Sequence, residues 1–104
     1  MDQTQVNRIM DMEQLLNSIT ATIRELEASL EHFEQALPLL QTLTAYYQSE
    51  QWQKDYDDDG AGKLPANLRR GVLAQDTVYD LLDDVNQLRT DMLILCKRLQ
   101  PADK

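Results

Sequence analysis

Three aspartates in the middle of the chain have the spacing of a calcium-binding loop. Asp55, Asp57 and Asp59 alternate along the sequence and precede Gly60, as do the carboxylates and the turn glycine in the first half of an EF-hand loop. The second half does not match, because Ala66 occupies the position that needs a bidentate glutamate. We therefore expect a solvated acidic turn without a bound metal, and these three aspartates are the candidate ligands if a metal does bind.

Further acidic residues stand at helical spacing in two other segments. They are Asp76, Asp80 and Asp84 late in the chain, and Glu27, Glu31 and Glu34 early in it. All-helical nucleotide pyrophosphohydrolases hold magnesium with clustered acids on facing helices. A divalent-metal-dependent hydrolase of a phosphorylated small molecule is therefore the alternative function. The glutamate pairs of those enzymes are missing here, so the pattern favours hydrated outer faces that also complement the helix dipole.

The sequence predicts no catalytic residue and no cofactor. His32 is the single histidine, and no metal-ligating side chain lies one helical turn away from it. Cys96 is the single cysteine, and without a histidine nearby to activate its thiol we expect a half-buried structural role. A single cysteine cannot form an internal disulfide, which suits a reducing cytoplasm. No glycine-rich loop is present that could cradle a phosphate.

Most aromatic residues and two arginines lie around one long connection. The candidate binding residues are Tyr46, Tyr47, Trp52, Tyr56, Arg69, Arg70 and Tyr79. Tyrosine, tryptophan and arginine are enriched at binding hot spots, so one interpretation is a recognition patch. The other is a small core that pins the connection to the helices. The small core is favoured, and both interpretations stay open.

Helices must position these residues, because the dominant pattern of the chain is a heptad repeat. The early apolar stripe alternates steps of three and four residues through Ile9, Met12, Leu16, Ile19, Ile23, Leu26, Leu30, Phe33, Leu37 and Leu40. This a/d pattern is typical of a helix that packs against one partner helix. A late stripe of the same kind consists of Val78, Leu81, Val85, Leu88, Met92, Leu95 and Leu99.

The sequence predicts an all-α fold with a single domain over 1–104. A first helix is expected over about 4–36, a break or kink at Pro38, and a second helix over about 38–56. A glycine-containing loop over 57–72 then leads to a third helix over about 74–100. Packing of the first helix against the third would form a long antiparallel hairpin, coiled-coil-like, that covers both stripes. Whether the first two helices form one kinked rod or two packed pieces is left open.

The predicted helix lengths also suggest a partner. At about 1.5 Å per residue, the first helix spans roughly 50 Å and the third roughly 40 Å. The first helix therefore overhangs the third and leaves Val6, Ile9 and Met10 uncovered. A second copy of the chain is the simplest partner for this end, which predicts a homodimer.

The residues around the long connection resemble a known family. The matching segments are Leu64-Pro65, Leu68-Arg69-Arg70-Gly71-Val72-Leu73 and Asp76, with Tyr46-Tyr47, Trp52 and Asp55-Tyr56 before them and Tyr79 and Leu81-Leu82 after them. The pattern is similar to that of short bacterial helical proteins catalogued as domain of unknown function 4298, over nearly the whole chain. The resemblance implies one compact bacterial module and brings no activity, substrate or cofactor. This chain departs from the family pattern at Ala74, where members usually have serine, so the third helix is expected to lack a side-chain cap.

The charge balance restricts the partners further. The chain has 18 acidic and 10 basic residues and a net charge of −8, which disfavours nucleic acids and anionic membrane surfaces as partners. No apolar segment approaches the roughly 20 residues of a membrane-spanning helix, and the first turns are too charged for a signal peptide. We therefore expect a cytoplasmic, non-catalytic protein–protein interaction module that binds a protein partner or itself.

Overall fold

The computed structural model describes residues 2–101 and is all-α over that range. Its elements are α1 (Gln3–Tyr47), α2 (Glu50–Gly60), a 3-10 helix (Gly71–Leu73) and α3 (Gln75–Arg98). The described residues contain no strand. The chain divides after Gln41 into two compact units, and the single domain over 1–104 stays a prediction, with its residues 1 and 102–104 outside the described range.

The first helix continues through Pro38 and ends at Tyr47, so the predicted boundary over 36–38 is wrong. An interior proline removes one backbone hydrogen bond. Leu37 and Leu39 flank it, and leucine is a strong helix former. Leu37 also cannot cap a new helix, because it has no side-chain oxygen. The helix therefore propagates past the proline.

The break between α1 and α2 lies instead at Ser49, so α2 covers Glu50–Gly60 rather than 38–56. The Ser49 hydroxyl donates a hydrogen bond to the carbonyl of Tyr46 and accepts one from the backbone amide of Trp52 at 3.2 Å. Helix ends leave such carbonyls and amides without partners inside the helix. One hydroxyl thus serves the end of α1 and the start of α2, which explains why the helices separate here.

Replacing Ser49 with alanine is expected to lower the free energy of unfolding by about 1 kcal/mol, as for other lost amino-terminal caps. Urea denaturation followed by circular dichroism measures the change. The matched control is Ser18→Ala, because Ser18 is exposed on α1, and its effect should stay within about 0.5 kcal/mol. Equal effects of the two substitutions would show that the cap is not what stabilises this junction.

The end of α2 is made by Gly62 rather than by Gly60, which is still helical. The amide of Lys63 donates to the carbonyl of Asp58 at 3.0 Å, and the amide of Gly62 donates to that of Asp59 at 3.1 Å. This pair of hydrogen bonds is the Schellman arrangement, and it needs a left-handed residue at the glycine. Gly62 has φ 73°. The loop therefore starts after Gly60 and not at residue 57 as predicted.

The third helix agrees with its predicted range, and Ala74 precedes it without a side-chain cap, as expected. Among the described residues the buried apolar side chains are Trp52, Leu73 and Val78. They come from α2, the 3-10 helix and α3, and the 3-10 helix contacts both of its neighbours. The core of the second unit therefore forms where these three elements meet.

Candidate functional site

Three aromatic residues near the connection form one cluster through ring contacts and hydrogen bonds. The ring of Trp52 stacks on Tyr56 with centroids 5.1 Å apart, and Tyr47 meets Trp52 edge-on at 5.3 Å. The indole N–H of Trp52 donates to the carbonyl of Val72 at 2.9 Å, and the Tyr47 hydroxyl donates to the carbonyl of Gln75 at 3.0 Å. These contacts tie α2 to the 3-10 helix and the end of α1 to the start of α3, as a small core does. A binding role for the same residues stays a prediction.

Tyr46 contacts α2 through a hydrogen bond. Its hydroxyl donates to a carboxylate oxygen of Asp55 at 2.6 Å. This hydrogen bond, together with partial burial and the negative charge of Asp55, raises the pKa of Tyr46 from 10.0 to about 12. Ionised Tyr46 would place a second negative charge beside the carboxylate.

The folded-state pKa of Tyr46 lies above its ordinary value, so the hydrogen bond stabilises the folded protein below pH 10. This stabilisation is lost as the pH rises towards 12. The protein is therefore expected to lose stability over this interval, and Tyr46→Phe should lose less. Ultraviolet absorbance of tyrosinate measures the titration. In Asp55→Asn the pKa of Tyr46 should fall back towards 10, and an unchanged titration would contradict the assignment to Asp55.

Arg70 links the long connection to α2 through an ion pair and hydrogen bonds. Its guanidinium forms an ion pair with Asp59 and also donates to the backbone carbonyls of Pro65 and Leu68. The side chain of Arg70 keeps about a third of its surface exposed. All three guanidinium nitrogens of Arg70 thus donate hydrogen bonds within the protein, which indicates a structural role for this predicted binding residue.

The carboxylates of α2 are engaged by neighbouring side chains. Asp55 accepts from Tyr46, Asp57 from Gln53, Asp58 from Lys54 and Asp59 from Arg70. Lys54, hydrogen-bonded at 2.7 Å, and the more distant Lys63 hold the pKa of Asp58 below its usual range.

The EF-hand interpretation fails on backbone geometry. Asp55, Asp57 and Asp59 all lie on a helix, whereas a calcium loop must curl its alternate carboxylates around one point. Over residues 2–101, no group of three or more histidine, cysteine, aspartate or glutamate side chains is placed to hold a metal ion.

The remaining predicted binding residues border two separate hollows. Tyr46, Asp55 and Arg69 line one of about 330 Å³, together with apolar side chains of the connection. Tyr79, which is 63% exposed, lines another of about 260 Å³ with Tyr47. The seven candidates are therefore distributed over the aromatic cluster, the Arg70 ion pair and these two hollows, and their binding role stays a prediction.

The other candidates for chemistry lie at the surface. His32 is exposed, and the acidic residues of both predicted faces are exposed as well. One of them, Glu27, forms an ion pair with Arg24 on its own helix at 3.0 Å. Cys96 is exposed rather than half-buried. Cys96 directly follows Leu95 of the late stripe, and Leu95 is itself exposed on α3.

The early stripe on α1 is an exposed apolar surface. Seven of its side chains expose between 45% and 61% of their surface, namely Ile9, Met12, Leu16, Ile19, Ile23, Leu26 and Leu30. No residue of α1 is fully buried. In the late stripe Val78 is buried, whereas Leu81, Leu88, Leu95 and Leu99 are exposed. The antiparallel hairpin between the stripes stays a prediction.

The described helices also lack the combination of length and apolar character that a bilayer crossing requires. A stripe of apolar residues on one side of a helix differs from a membrane span, which is apolar all round.

One family model matches most of the chain. The model of the family described as domain of unknown function (DUF4298) matches residues 9–95. The chain belongs to this family. No curated protein matches the chain, and neither does any solved structure. The DUF4298 match includes the stripe of α1, the aromatic cluster and nearly all of α3, and it assigns no activity to any of them.

Sequence reasoning missed three residues that organise this DUF4298 chain. Val72 and Gln75 act through backbone carbonyls, and a backbone carbonyl has no residue-specific signal. Ser49 did have one, because serine directly before Glu50 is typical of a helix start. The prediction of a helix over about 38–56, based on Pro38, placed Ser49 inside a helix, so this helix-start signal was overlooked.

Proposed function

We propose that this chain is a non-catalytic protein–protein interaction module that associates with a second copy of itself through the early stripe of α1. The observation that supports the proposal is the exposure of seven apolar side chains, each about half accessible, in unbroken heptad spacing. Apolar side chains gain free energy when they leave water. A stripe this regular is typical of a helix that buries it against another helix.

The size of the stripe is sufficient for a specific contact. From Ile9 to Leu30 it extends along roughly 33 Å of helix, at about 1.5 Å per residue. Two such stripes would bury on the order of 1,000 Å², which is near the lower end of specific protein interfaces. Contiguous apolar patches above a few hundred Å² mark interaction sites on soluble proteins. The stripe on each copy therefore has the size of an interaction site.

A second copy fits the stripe because the same surface is apolar on both partners. Most homo-oligomers are symmetric dimers in which one patch meets its own equivalent. The flanks of the stripe are mostly polar, since Thr20 and Glu27 follow d positions directly and Thr22 and Ser29 precede a positions. Polar flanks favour two helices, because larger bundles bury these positions more deeply.

Light scattering at several concentrations tests the proposal. The parent chain is expected to show a mass that rises with concentration to twice that of the monomer. Ile19→Glu combined with Ile23→Glu should give the monomer mass throughout, because two charges would enter the apolar seam. Glutamate is a good helix former, so circular dichroism should still show α1.

The matched control adds the same charge to the opposite face of the helix. Ala21→Glu combined with Ala28→Glu places both glutamates at heptad positions away from the stripe, so this variant should associate like the parent. A parent that is monomeric at every concentration would falsify the proposal. Equal association of the two double variants would show that another surface is responsible.

A further inference from the structure

We infer that the two α1 helices of the self-associated form lie parallel and in register, with Arg8 of each copy beside Glu13 of the other. The inference rests on the proposed function and adds the orientation of the partner. It is based on the charges that flank the stripe. Ile9 begins the heptad at position a and Met12 occupies position d.

The two flanks of the stripe differ in charge. The residues after each d position are Glu13, Thr20, Glu27, Glu34 and Gln41, whereas the residues before each a position are Arg8, Leu15, Thr22, Ser29 and Ala36. One flank therefore carries three carboxylates and the other carries a single cation. All of these residues except Ala36 are exposed, and Ala36 is half-buried.

In a parallel pair, the residue before an a position meets the residue after the following d position on the other helix, five residues further along. Arg8 then meets Glu13, and by symmetry this attractive pair occurs twice. The other carboxylates meet uncharged partners, since Glu27 lies opposite Thr22 and Glu34 opposite Ser29. The parallel arrangement thus has two attractive contacts across the seam and no repulsive one.

In an antiparallel pair, like flanks meet each other. A register that overlaps the whole stripe places Glu13 opposite Glu34 of the other copy, again twice, and turns Arg8 towards the flank that carries no carboxylate. Like charges in such positions are destabilising. Glu27 does not decide between the arrangements, because it lies opposite a threonine in both and forms an ion pair with Arg24 on its own helix. The flanking charges therefore select the parallel orientation.

Charge reversal tests the contact between Arg8 and Glu13. Arg8→Glu alone and Glu13→Arg alone should each weaken self-association about three- to ten-fold, as expected for two exposed ion pairs. A one-to-one mixture of the two variants should associate as strongly as the parent, because every cross-helix pair is then attractive again. A mixture as weak as the single variants would overturn the inference.

Disulfide cross-linking tests the orientation directly. In a Cys96→Ser background, Met12→Cys and Leu37→Cys each place one thiol in the seam, towards opposite ends of the stripe, and these two positions face each other in the antiparallel register described above. Equivalent core positions of a parallel pair face each other, within reach of a disulfide after small adjustments. Each variant alone should therefore form a covalent dimer under mild oxidation. A mixture should yield only the two symmetric products.

The possible failures are distinguishable. A monomeric Cys96→Ser parent by light scattering overturns the proposed function and this inference with it. A dimeric parent whose mixture gives the disulfide between residues 12 and 37, while each variant alone gives none, shows an antiparallel pair. That result refutes the inference and leaves the proposed function intact. A dimeric parent with no cross-link at either position shows that another surface, such as α3, covers the stripe, and this too overturns the inference.

Discussion

Replacement of Trp52 with alanine is expected to lower the free energy of unfolding of the second unit by about 3–5 kcal/mol, the usual range for a buried tryptophan. Its side chain is 7% exposed. The ring packs on Tyr47 and Tyr56, and its N–H serves the carbonyl of Val72. Alanine removes the packing and deprives that carbonyl of its donor at the same time. Urea denaturation followed by circular dichroism measures the loss.

Tyr79→Ala is the matched control, because this aromatic side chain is 63% exposed. Its effect should stay within about 0.5 kcal/mol. Trp52→Phe should fall between the two, since it keeps a ring in the stack and loses the indole donor. A loss below about 1 kcal/mol for Trp52→Ala would contradict a core role for the cluster and favour the recognition patch instead.

Replacement of Leu73 with alanine is expected to cost about 2–5 kcal/mol, the range for a buried leucine. Leu73 is 6% exposed and lies in the 3-10 helix, which contacts both α2 and α3. Truncation there leaves a cavity, and the neighbouring helices can close it only by moving towards each other. Such relaxation is incomplete in packed interiors. The same urea experiment gives the change in free energy.

Leu39→Ala makes the same chemical change at an exposed site, because Leu39 is 71% exposed on α1. Its cost should be about 0.5 kcal/mol or less. The contrast between the two leucines separates burial from composition. If both variants lost the same stability, the 3-10 helix would not be the centre of the second unit.

The all-α fold was predictable because hydrophobic periodicity depends on residues close in sequence. The stripes of α1 and α3 each repeat over many turns, so single exceptions do not obscure them. The boundaries were less predictable, because they depend on competition between local signals. At Pro38 a lost hydrogen bond competes with strong helix formers, whereas at Ser49 a single hydroxyl serves two helix ends.

The candidate site was predictable in its composition and not in its connections. The seven aromatic and basic residues could be named from their types, but their partners lie far along the chain. Trp52 finds its acceptor 20 residues away and Tyr47 finds its acceptor 28 residues away. These partners are backbone carbonyls, which every residue has. Only the folded arrangement distinguishes Arg70, directed at Asp59, from the exposed Arg69.

Trp52 is also an intrinsic fluorescence probe because of its position. It is the single tryptophan, and its indole lies in the second unit rather than on the early stripe. Intrinsic emission excited at the red edge of the absorption band therefore follows the environment of the aromatic cluster alone. Dilution of a stripe-mediated dimer should leave that emission unchanged, while melting of the second unit should shift it to longer wavelength. A spectrometer can thus tell dissociation from unfolding without any added label.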